Sequence, residues 1–473
     1  MLTLGHVLQA LTGIYPEWAS LIIKDACVDS RNATPGSLFV ALPGERVDGH
    51  EFVSEAFEHG TSLAIIQKDL SAELPVLDLR DQTDVQQLAA REMPLCLRVE
   101  DSLKALQKIA HFWRRKLNVR VIGITGSVGK STTKEVIAEI LEQRYRTLKS
   151  PGNLNNEIGL PLTILRLSEN HEVAVLEMGF YVPGEIAFLC DLALPHVGVI
   201  TNIGTVHAER AGSQEAIARG KAELAQALPP APEGVAVLNY DDPWVREMSR
   251  QTRARTFFYG LNWRADLWAD DVQGLGLEGI RFRLHYRNET LHLRVPLIGR
   301  HSVHTALRAA AVGLIEGLTW QEIVSGLRSS RSQLRLVAVR TKNSALLLDD
   351  TYNASPESTI AALNLLEELE GHRIAVLGDM LELGPYEWRG HEMVGVRAAE
   401  VVDELITVGE RGRMIAAAAH RAGLKGTAIV ELENTEQAIK LLRDRLTERD
   451  VVLIKGSRGM QMDRIVSALE DVA

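Results

Sequence analysis

A glycine-rich stretch, TGSVGKS from Thr125 to Ser131, contains the residue types that hold phosphate. Gly126 and Gly129 allow a tight turn whose backbone N–H groups point inward, and Lys130 adds a positive charge. The Ser131 hydroxyl is placed to ligate Mg²⁺. The other residues of this predicted ATP-binding loop are Ser127, Val128 and Thr132. The stretch therefore predicts a cradle for a nucleoside triphosphate.

The segments on either side of this loop have the right character to position it. VRVIGI, from Val119 to Ile124, is typical of a buried parallel strand, and apolar residues recur at helical spacing after Ser131. The usual P-loop pattern has a glycine five residues before Gly129, where this chain has Ile124. A turn that merely joins strand to helix is the alternative. The strand, the helix and the lysine together favour a variant phosphate loop.

Length, composition and charge limit the class of protein. A chain of 473 residues with 46% hydrophobic and 24% charged residues predicts about three globular domains. The net charge of −10 argues against nucleic-acid binding as the main function. Three widely spaced thiols, Cys27, Cys96 and Cys190, indicate a reducing compartment and core positions. Without a basic leader or a bilayer-length apolar run, we expect a cytoplasmic protein with no membrane insertion.

Three segments of different character predict an α/β protein with domains at 1–98, 99–329 and 330–473. The first has strand candidates at 37–42 and 62–67, and a helical stripe over 103–117 leads into the second. Short apolar strands starting at Val173, Val197 and Val235 indicate a βαβ pattern with a parallel sheet. The alternation between Thr256 and Pro296 predicts antiparallel strands in a small appended sheet. A third βαβ series starts near Ala345, Arg373, Glu404 and Val451.

Three residues of the central segment are candidates for metal chemistry. Glu177 and His207 follow strands, at the edge where open α/β sheets bind ligands. The alternatives are a helix cap or surface charge for Glu177 and a structural hydrogen bond for His207. Lys221 resembles a solvated helix lysine, and an ammonium group cannot ligate a cation. A metal role for Lys221 requires its conversion to an anion such as a carbamate.

Two loops of the third segment carry charge at strand ends. Asp349 or Asp350 is placed to accept hydrogen bonds from ribose hydroxyls, with an Asx-capped turn as the alternative. Lys455, Ser457 and Arg458 lie on a glycine loop that suits a carboxylate or a phosphate, with a solvent-facing basic turn as the alternative. Such loops, distant from TGSVGKS in the chain, suggest a separate domain that closes on the nucleotide and excludes water.

These motifs occur together, in one order, across nearly the whole chain. The chain resembles the Mur ligases, ATP-dependent amide-forming enzymes of peptidoglycan synthesis, and most closely their MurF type. The segments that carry the resemblance are VDSRNATPGSLFVALPGERVDGHEF at Val28, GITGSVGKSTTKE at Gly123, PGNLNNEIGLPLT at Pro151, EMG at Glu177, TNIGTVHAE at Thr201, LDDTYNASPESTIAAL at Leu348, VLGDMLELG at Val376 and KGSRGMQMD at Lys455.

The resemblance implies a fold and a set of cofactors. A central P-loop NTPase-like parallel sheet would be flanked by an N-terminal UDP-sugar-binding α/β domain and a C-terminal Rossmann-like α/β domain. The loop at Lys130 would bind the ATP phosphates, with Ser131 and Glu177 on one Mg²⁺. His207 and Lys221 match positions that help to hold a second Mg²⁺ in related ligases, where the lysine can be carbamylated.

The resemblance also implies contacts for the substrates. The residues matched to substrate binding are Ser30, Arg31, Asp48, Asn153, Asn155, Asn156 and Ser457. Asp350 matches the ribose-binding acid, and Tyr352 and Asn353 continue that nucleotide loop. Arg335 matches an arginine directed at the γ-phosphate, although Leu334 replaces the usual glycine before it. Ser302 replaces an asparagine of the adenine-recognition segment.

The reaction implied joins D-Ala-D-Ala to UDP-MurNAc-tripeptide through an acyl phosphate, in a protein expected to be a monomer. Two alternatives differ from it. A MurE-type ligase, which adds a diamino acid, usually carries a DNPR-like motif that this chain lacks. A non-catalytic nucleotide-binding protein would not need Lys130, Glu177, His207 and Arg335 together. Folylpolyglutamate synthetases share the P-loop but lack the N-terminal signature.

Overall fold

The computed structural model describes residues 1–44, 47–81, 92–329, 337–443 and 445–470. They form two compact units, each discontinuous in the chain. The first unit comprises 1–123, 145–179 and 185–196, and the second comprises 124–144, 180–184 and 197–473. The division into domains at 1–98, 99–329 and 330–473 stays a prediction.

The first unit contains a five-stranded parallel sheet with the strand order β1-β2-β3-β5-β4. Its elements are α1 (Leu4–Thr12), β1 (Asp25–Cys27), β2 (Ser37–Val40), α2 (Val53–Glu58), β3 (Leu63–Ile66), β4 (Val76–Asp78) and β5 (Leu95–Arg98). Phe39, Ala64 and Ile66 are fully buried between the sheet and its helices. The strands predicted at 37–42 and 62–67 are confirmed.

The rest of the first unit contains most of β6, the strand that leads into the glycine-rich loop. Its elements are α3 (Ser102–Lys116), β6 (Arg120–Thr125), β7 (Thr147–Lys149), α5 (Gly159–Ile164), β8 (Val173–Glu177) and α6 (Glu185–Ala193). The predicted helix over 103–117 is confirmed as α3, which Asp101 caps. Trp113 of α3 is buried, and its indole N–H donates to the Leu167 carbonyl at 2.8 Å. The last two residues of β6 belong to the second unit.

The first part of the second unit contains a run of strands in the order β14-β13-β12-β11-β10-β9. Its elements are α4 (Lys130–Leu141), β9 (Val197–Ile200), α7 (Ala208–Ala211), α8 (Gln214–Ala227), β10 (Val235–Asn239), α9 (Pro243–Glu247), β11 (Arg255–Gly260), β12 (Leu267–Gly274), β13 (Ile280–Tyr286), β14 (Glu289–Val295), α10 (Val303–Ile315) and α11 (Trp320–Ser329). The predicted helix after the loop is confirmed as α4.

The prediction for 256–296 was partly wrong. Strands β12, β13 and β14 are antiparallel, as expected from their alternation. However, β11 pairs in parallel with both β10 and β12. The antiparallel strands therefore extend the parallel run and do not form a separate small sheet. The burial of Phe257 and Tyr259 on β11, with Leu267 on β12, explains why these strands remain in the main layer.

The second part of this unit contains a six-stranded sheet, ordered β15-β16-β20-β17-β18-β19, in which only β15 is antiparallel to its neighbour. Its elements are β15 (Val337–Arg340), β16 (Leu346–Asp349), α12 (Pro356–Glu367), β17 (His372–Gly378), α13 (Glu387–Val401), β18 (Glu404–Val408), α14 (Gly412–Arg421), β19 (Ile429–Leu432), α15 (Thr435–Arg443), β20 (Asp450–Lys455) and α16 (Asp463–Leu469). Apolar cores cover both faces of this sheet. The third βαβ series is confirmed.

Two further expectations concern bulk properties. All three cysteines are buried and free, as predicted. Within the described ranges, no helix combines the length and the apolar character that crossing a bilayer requires.

Candidate functional site

Strand β9 and the residues after it hold the glycine-rich loop in place. The Thr201 N–H donates to the Thr125 carbonyl at 3.0 Å, and the Thr201 hydroxyl donates to the Val128 carbonyl at 2.8 Å. The side-chain oxygen of Asn202 accepts the Val128 N–H at 2.9 Å, and its backbone carbonyl accepts the Ser127 N–H at 2.9 Å. These bonds fix the shape of the loop.

The loop turns into helix α4 at Gly129, which has a left-handed backbone with φ of +83°. Both the N–H and the hydroxyl of Thr133 donate to the Gly129 carbonyl, at 3.0 and 2.5 Å. The Lys130 amine bends back over the loop and donates to the carbonyls of Gly126 at 2.8 Å and Ser127 at 3.3 Å. The helix N-terminus and the amine thus make the loop electropositive.

A second amine lies on the same carbonyl. Lys221 of α8 is 1% exposed, and its Nζ donates to the Gly126 carbonyl at 3.1 Å. It also lies 4.6 Å from the centre of the Phe180 ring. Burial, and then the charge of Lys130, lowers the pKa of Lys221 well below its ordinary value. The alternative of a solvated helix lysine is therefore wrong, because this amine is enclosed and favours its neutral form.

His207 is held by a carboxylate from the loop that follows β17, in the same unit. Its Nδ1 lies 2.9 Å from Oε2 of Glu382, and the edge of Tyr181 packs against its ring. Burial, and then the charge of Lys130, lowers the pKa of His207 to about 4. The ring is therefore neutral at neutral pH. Because the carboxylate accepts the proton of Nδ1, the lone pair of Nε2 is available to a ligand.

The two candidate aspartates at the end of β16 have different hydrogen-bond partners. Asp349 accepts the N–H and the hydroxyl of Thr351, at 3.1 and 2.7 Å, so the Asx-turn alternative holds for Asp349. Asp350 forms an ion pair with Lys455, whose Nζ lies 2.6 Å from Oδ2 and also donates to the Asn353 carbonyl at 2.9 Å. Lys455 is 2% exposed, so the solvent-facing alternative is wrong for this residue.

The two remaining candidates in this region differ in exposure. Tyr352 is 41% exposed. Ser457 is buried, and its hydroxyl accepts the Leu381 N–H at 2.8 Å while its own N–H donates to the Asp379 carbonyl. The hydroxyl of Ser457 thus positions the loop that follows β17.

In the first unit, Glu177 ends strand β8 with its side chain buried. The Asn155 amide donates to Oε1 of Glu177 at 2.8 Å, and the Ser150 hydroxyl accepts the Glu177 N–H at 3.2 Å. The Gly179 N–H donates to the Asn155 carbonyl at 2.7 Å. The structure thus brings the predicted metal ligand and one predicted substrate-loop asparagine together. Of the others, Asn153 is exposed, and the Asn156 side chain accepts the N–H of Gly159 at 2.8 Å, at the start of α5.

The three N-terminal candidates also lie in the first unit. The Ser30 hydroxyl donates to Glu55 at 3.1 Å. Exposed Arg31 forms a two-bond pair with Asp29, at 2.9 and 2.6 Å. Asp48 bonds with His50 and Lys68, and the bond from Lys68 is the first cause that lowers the pKa of Asp48. These carboxylate contacts keep the predicted polar residues ordered.

Two further predicted residues differ from these. Arg335 lies outside the described residues, so its predicted contact with the γ-phosphate stays a prediction. Ser302, which replaces the family asparagine, is buried and donates its hydroxyl to the Ile298 carbonyl at 2.7 Å. Its hydroxyl is therefore engaged with the backbone that precedes α10.

Four residues around the loop were not identified from the sequence. Glu382 and Asn202 lie inside quoted motifs, VLGDMLELG and TNIGTVHAE, but only the structure shows what their side chains contact. Phe180 and Arg308 carry no motif signal. Arg308 reaches the loop from α10, and its Nη2 lies 3.0 Å from where a Cβ on Gly129 would stand.

A substitution at Gly126 tests whether the loop must pack closely against Thr201. Its φ is +143°, and a Cβ there would lie 1.8 Å from the Thr201 hydroxyl oxygen. We expect Gly126→Ala to weaken ADP binding at least tenfold and to cost about 1–3 kcal/mol of stability, as overpacking does. Calorimetric titration and thermal melting measure both effects.

Gly212 offers a matched control for Gly126→Ala. It also has a positive φ, of +89°, but nothing lies within 4 Å of its added Cβ. Gly212→Ala therefore carries backbone strain without the steric clash and should keep its affinity for ADP. Unchanged ADP affinity in Gly126→Ala would contradict the close packing of the loop against β9.

Three family models match the chain in sequence order. They are the Mur ligase family catalytic domain over 23–114, the Mur ligase middle domain over 124–313 and the Mur ligase glutamate ligase domain over 334–458. The middle-domain match begins at the strand before the glycine-rich loop and ends within α10. The residues of the second unit that position the loop fall inside this match, and they include the segment 180–184. Glu382 and the other residues of the C-terminal part lie outside it.

Relatives match almost the whole chain. A UDP-N-acetylmuramoyl-tripeptide–D-alanyl-D-alanine ligase from Bacillus subtilis is 37% identical over 461 residues, covering 96% of this chain and 94% of the relative. A crystal structure of MurF from Acinetobacter baumannii has a TM-score of 0.81 at 30% identity, covering 98% and 97% of the two chains. MurF ligase from Thermotoga maritima in complex with ADP has a TM-score of 0.76 at 28% identity, covering 95% and 97%. The chain therefore belongs to the Mur ligase family, and within it to the MurF type.

Proposed function

We propose that this chain joins D-Ala-D-Ala to UDP-MurNAc-tripeptide at the expense of ATP, a step of peptidoglycan synthesis. The observation that carries the proposal is the end-to-end match, at 37% identity, to a relative that bears the name of this activity. The Thermotoga relative in complex with ADP supports ATP as the energy source. We also propose that the chain works as a monomer in the cytoplasm, where ATP and UDP-linked sugars are available.

The ATP phosphates lie in the loop from Thr125 to Thr132 in this proposal. The inward N–H groups and the N-terminus of α4 neutralise the phosphates, and Lys130 turns from the Gly126 carbonyl towards them. On the nucleoside side, Asp350 binds the ribose, and Tyr352 and Asn353 line the same loop. The ion pair of Asp350 with Lys455 supports this role, because it holds the carboxylate in one orientation.

The reaction has two steps. A carboxylate oxygen of the tripeptide attacks the γ-phosphorus of ATP, and ADP leaves from the acyl phosphate that forms. The amine of D-Ala-D-Ala then attacks the acyl carbon, and the tetrahedral intermediate loses phosphate and a proton to give the amide. The chain acts by positioning and by neutralising charge, with no covalent nucleophile of its own.

The residues proposed for Mg²⁺ are Ser131, Glu177, His207 and Lys221. Within the described ranges, no three His, Cys, Asp or Glu side chains form a metal-binding group by themselves. Residues of this set nevertheless offer, each by itself, chemistry that suits the ion. Neutral His207 offers Nε2, and Glu177 is a buried carboxylate ordered by Asn155. Bound Mg²⁺ would offset the charge of the phosphates during transfer.

Lys221 fits the metal only after chemical change. A buried, neutral amine can add to CO₂, losing a proton to give an anionic carbamate, whereas an ammonium group cannot. The enclosure of Lys221 and the lowering of its pKa both favour the reactive neutral amine. We therefore propose a carbamate on Lys221 as the anionic metal ligand.

The substrate contacts proposed in the first unit are those of Ser30, Arg31, Asp48, Asn153, Asn155 and Asn156. The bond of Asn155 to Glu177 supports a link between the substrate loop and the metal ligand. In the second unit, Ser457 positions the loop after β17 for the incoming peptide. Arg335 completes the proposal as a group that contacts the γ-phosphate.

The choice of acceptor tests this function. The protein is incubated with ATP, Mg²⁺ and UDP-MurNAc-tripeptide, and either D-Ala-D-Ala or a diamino acid is offered. We expect phosphate release and a product with the mass of the pentapeptide only with the dipeptide. Turnover with the diamino acid but not with D-Ala-D-Ala would contradict the proposal.

The carboxylate of Glu382 is expected to position His207 for the metal. Because Glu382 accepts the proton of Nδ1, its loss frees the ring to rotate or to change tautomer. We expect Glu382→Ala to raise the Mg²⁺ concentration needed for half-maximal ATP turnover by about 10- to 100-fold, the usual effect of losing such a partner. Exposed Glu431 provides the control, since Glu431→Ala should leave this concentration unchanged. An unaltered Mg²⁺ dependence in Glu382→Ala would refute the positioning role.

A further inference from the structure

Arg308 is a buried cation that the proposed chemistry does not use. It lies on helix α10 and is only 4% exposed. Its Nη2 donates to the Thr305 hydroxyl at 2.7 Å and its Nη1 lies 3.4 Å from the Tyr259 hydroxyl. No ion pair joins it to a carboxylate in the described part of the chain, although buried arginines are normally paired.

The hydrogen-bond donors of Arg308 exceed the acceptors around it. A guanidinium carries five N–H donors, and here two hydroxyl oxygens are the partners. The Nε of Arg308 is buried and has no acceptor. The Tyr259 hydroxyl is itself within reach of the Thr201 carbonyl, at 3.3 Å. A buried donor without an acceptor is uncommon and points to a functional role for the side chain.

Two acidic side chains that, like Arg308, lie close enough to act on Tyr259 are engaged elsewhere. Asp241 bonds to the imidazole of His304 at 2.9 Å and accepts the Leu261 N–H at 2.6 Å. Asp242 caps helix α9 and accepts the Ile203 N–H at 2.8 Å. Neither carboxylate pairs with Arg308, so its charge is not compensated locally by the protein.

The position of Arg308 indicates which kind of ligand would compensate its positive charge. Its Nη2 lies 3.0 Å from the place of a Cβ on Gly129, the residue that opens helix α4. The same short loop already carries the amines of Lys130 and Lys221 on its Gly126 carbonyl. The cations Arg308 and Lys130 thus converge on one loop, together with the enclosed amine of Lys221 and beside the positive end of a twelve-residue helix. An anion bound at the loop would balance these positive charges.

We propose that Arg308 is a further nucleotide-binding residue that contacts a phosphate retained in ADP. This inference rests on the proposed binding of ATP at the loop. Arg308 approaches the loop at Gly129, whereas the Lys130 amine lies at Gly126 and Ser127, the side from which it can reach the terminal phosphate. The guanidinium therefore meets the phosphates that stay with the nucleoside, and its unpaired Nε–H gains an acceptor.

This role predicts binding effects that differ between ligands. Arg308→Met keeps an unbranched apolar stem but removes the charged guanidinium, and should weaken ADP and pyrophosphate binding by about 10- to 100-fold. Adenosine affinity should change less than twofold. Arg308→Lys retains a charge without the planar fork and should give an intermediate loss. Exposed Arg328, on α11, provides the control, because Arg328→Met should bind all three ligands like the unaltered protein.

Thermal melting and a complex with ADP separate contact from a structural role. Without ligand, Arg308→Met should melt at the same temperature as the unaltered protein or above it, because a buried unpaired charge is removed. In a crystal structure with ADP, a guanidinium nitrogen of Arg308 should lie about 3 Å from a phosphate oxygen.

Several results would overturn the inference. They are unchanged ADP affinity in Arg308→Met, an equal loss for ADP and adenosine, a lower melting temperature without ligand, or a guanidinium far from every phosphate of bound ADP. If the unaltered protein itself bound neither ADP nor pyrophosphate, the proposed nucleotide function would fall, and this inference with it. Normal binding by the unaltered protein and by both Arg308 variants would overturn the inference alone.

Discussion

Lys130→Ala should abolish turnover of ATP while leaving the fold intact. The Lys130 amine donates to two loop carbonyls, at 2.8 and 3.3 Å. Helix α4 does not need these side-chain bonds in order to form. Loss of such a preorganised charge from a phosphoryl-transfer site costs about 10²- to 10³-fold or more in kcat. Steady-state phosphate release measures the effect, and circular dichroism checks the fold.

An exposed lysine gives the control for Lys130→Ala. Lys425 lies on the surface of the same unit, so Lys425→Ala should keep normal turnover. Lys130 is also one of the charges that lower the pKa of His207 and of Lys221. Removing the charge of Lys130 should raise the pKa of both residues. NMR titration of His207 can follow the change in the histidine. A folded Lys130→Ala protein with near-normal turnover would overturn the phosphate-cradle assignment.

Lys221→Ala should lower turnover by about 10- to 100-fold, the range for disturbed metal sites, and a small carboxylate such as acetate should restore part of it. The substitution leaves a cavity beside the Gly126 carbonyl and the Phe180 ring, into which the added carboxylate can place its anionic oxygens. Lys221→Met fills the same cavity and should not be rescued. Equal responses of the two variants to acetate would argue against the carbamate.

The burial of Lys221 also predicts how stability depends on pH. Folding lowers the pKa of Lys221 below its ordinary value of 10.5, so the unfolded chain binds more protons in the window between the two values. Stability therefore rises with pH through that window. In CO₂-free buffer at about pH 8, Lys221→Met should melt above the unaltered protein, with a gap that closes towards pH 10.5. If Lys221→Met were less stable than the unaltered protein at that pH, burial of the amine would not reduce the free energy of unfolding, and the prediction would be wrong.

Local sequence patterns predicted most of the secondary structure, because each element buries one regular stripe of apolar side chains. The strand before Thr125 and the helix after Gly129 follow from β-branched and helical spacing, and the loop between them follows from its glycines. Alternation in 256–296 misled the prediction for β11. Alternation reports which side chains are buried, whereas the direction of the neighbouring strand depends on the chain connections.

The side-chain contacts of the site were beyond reach from the sequence because they join distant parts of the chain. Glu382 is 175 residues from His207, and Asp350 is 105 residues from Lys455. The enclosure of Lys221 depends on Phe180, and its helix gave no sign that this lysine faces inward. Arg308 belongs to an ordinary helical stripe whose position beside Gly129 is a product of packing. A motif identified the loop, but only the fold shows which charges converge on it.

The fate of one carboxylate oxygen tests the central claim, ATP-dependent ligation through an acyl phosphate, most directly. UDP-MurNAc-tripeptide labelled with ¹⁸O at both oxygens of its terminal carboxylate is incubated with the protein, ATP, Mg²⁺ and D-Ala-D-Ala. Attack of the carboxylate on the γ-phosphorus leaves that oxygen with the phosphate when the amine displaces it. We expect one ¹⁸O in each released phosphate, together with the extended peptide product. Unlabelled phosphate, or hydrolysis of ATP without the product, would contradict the account.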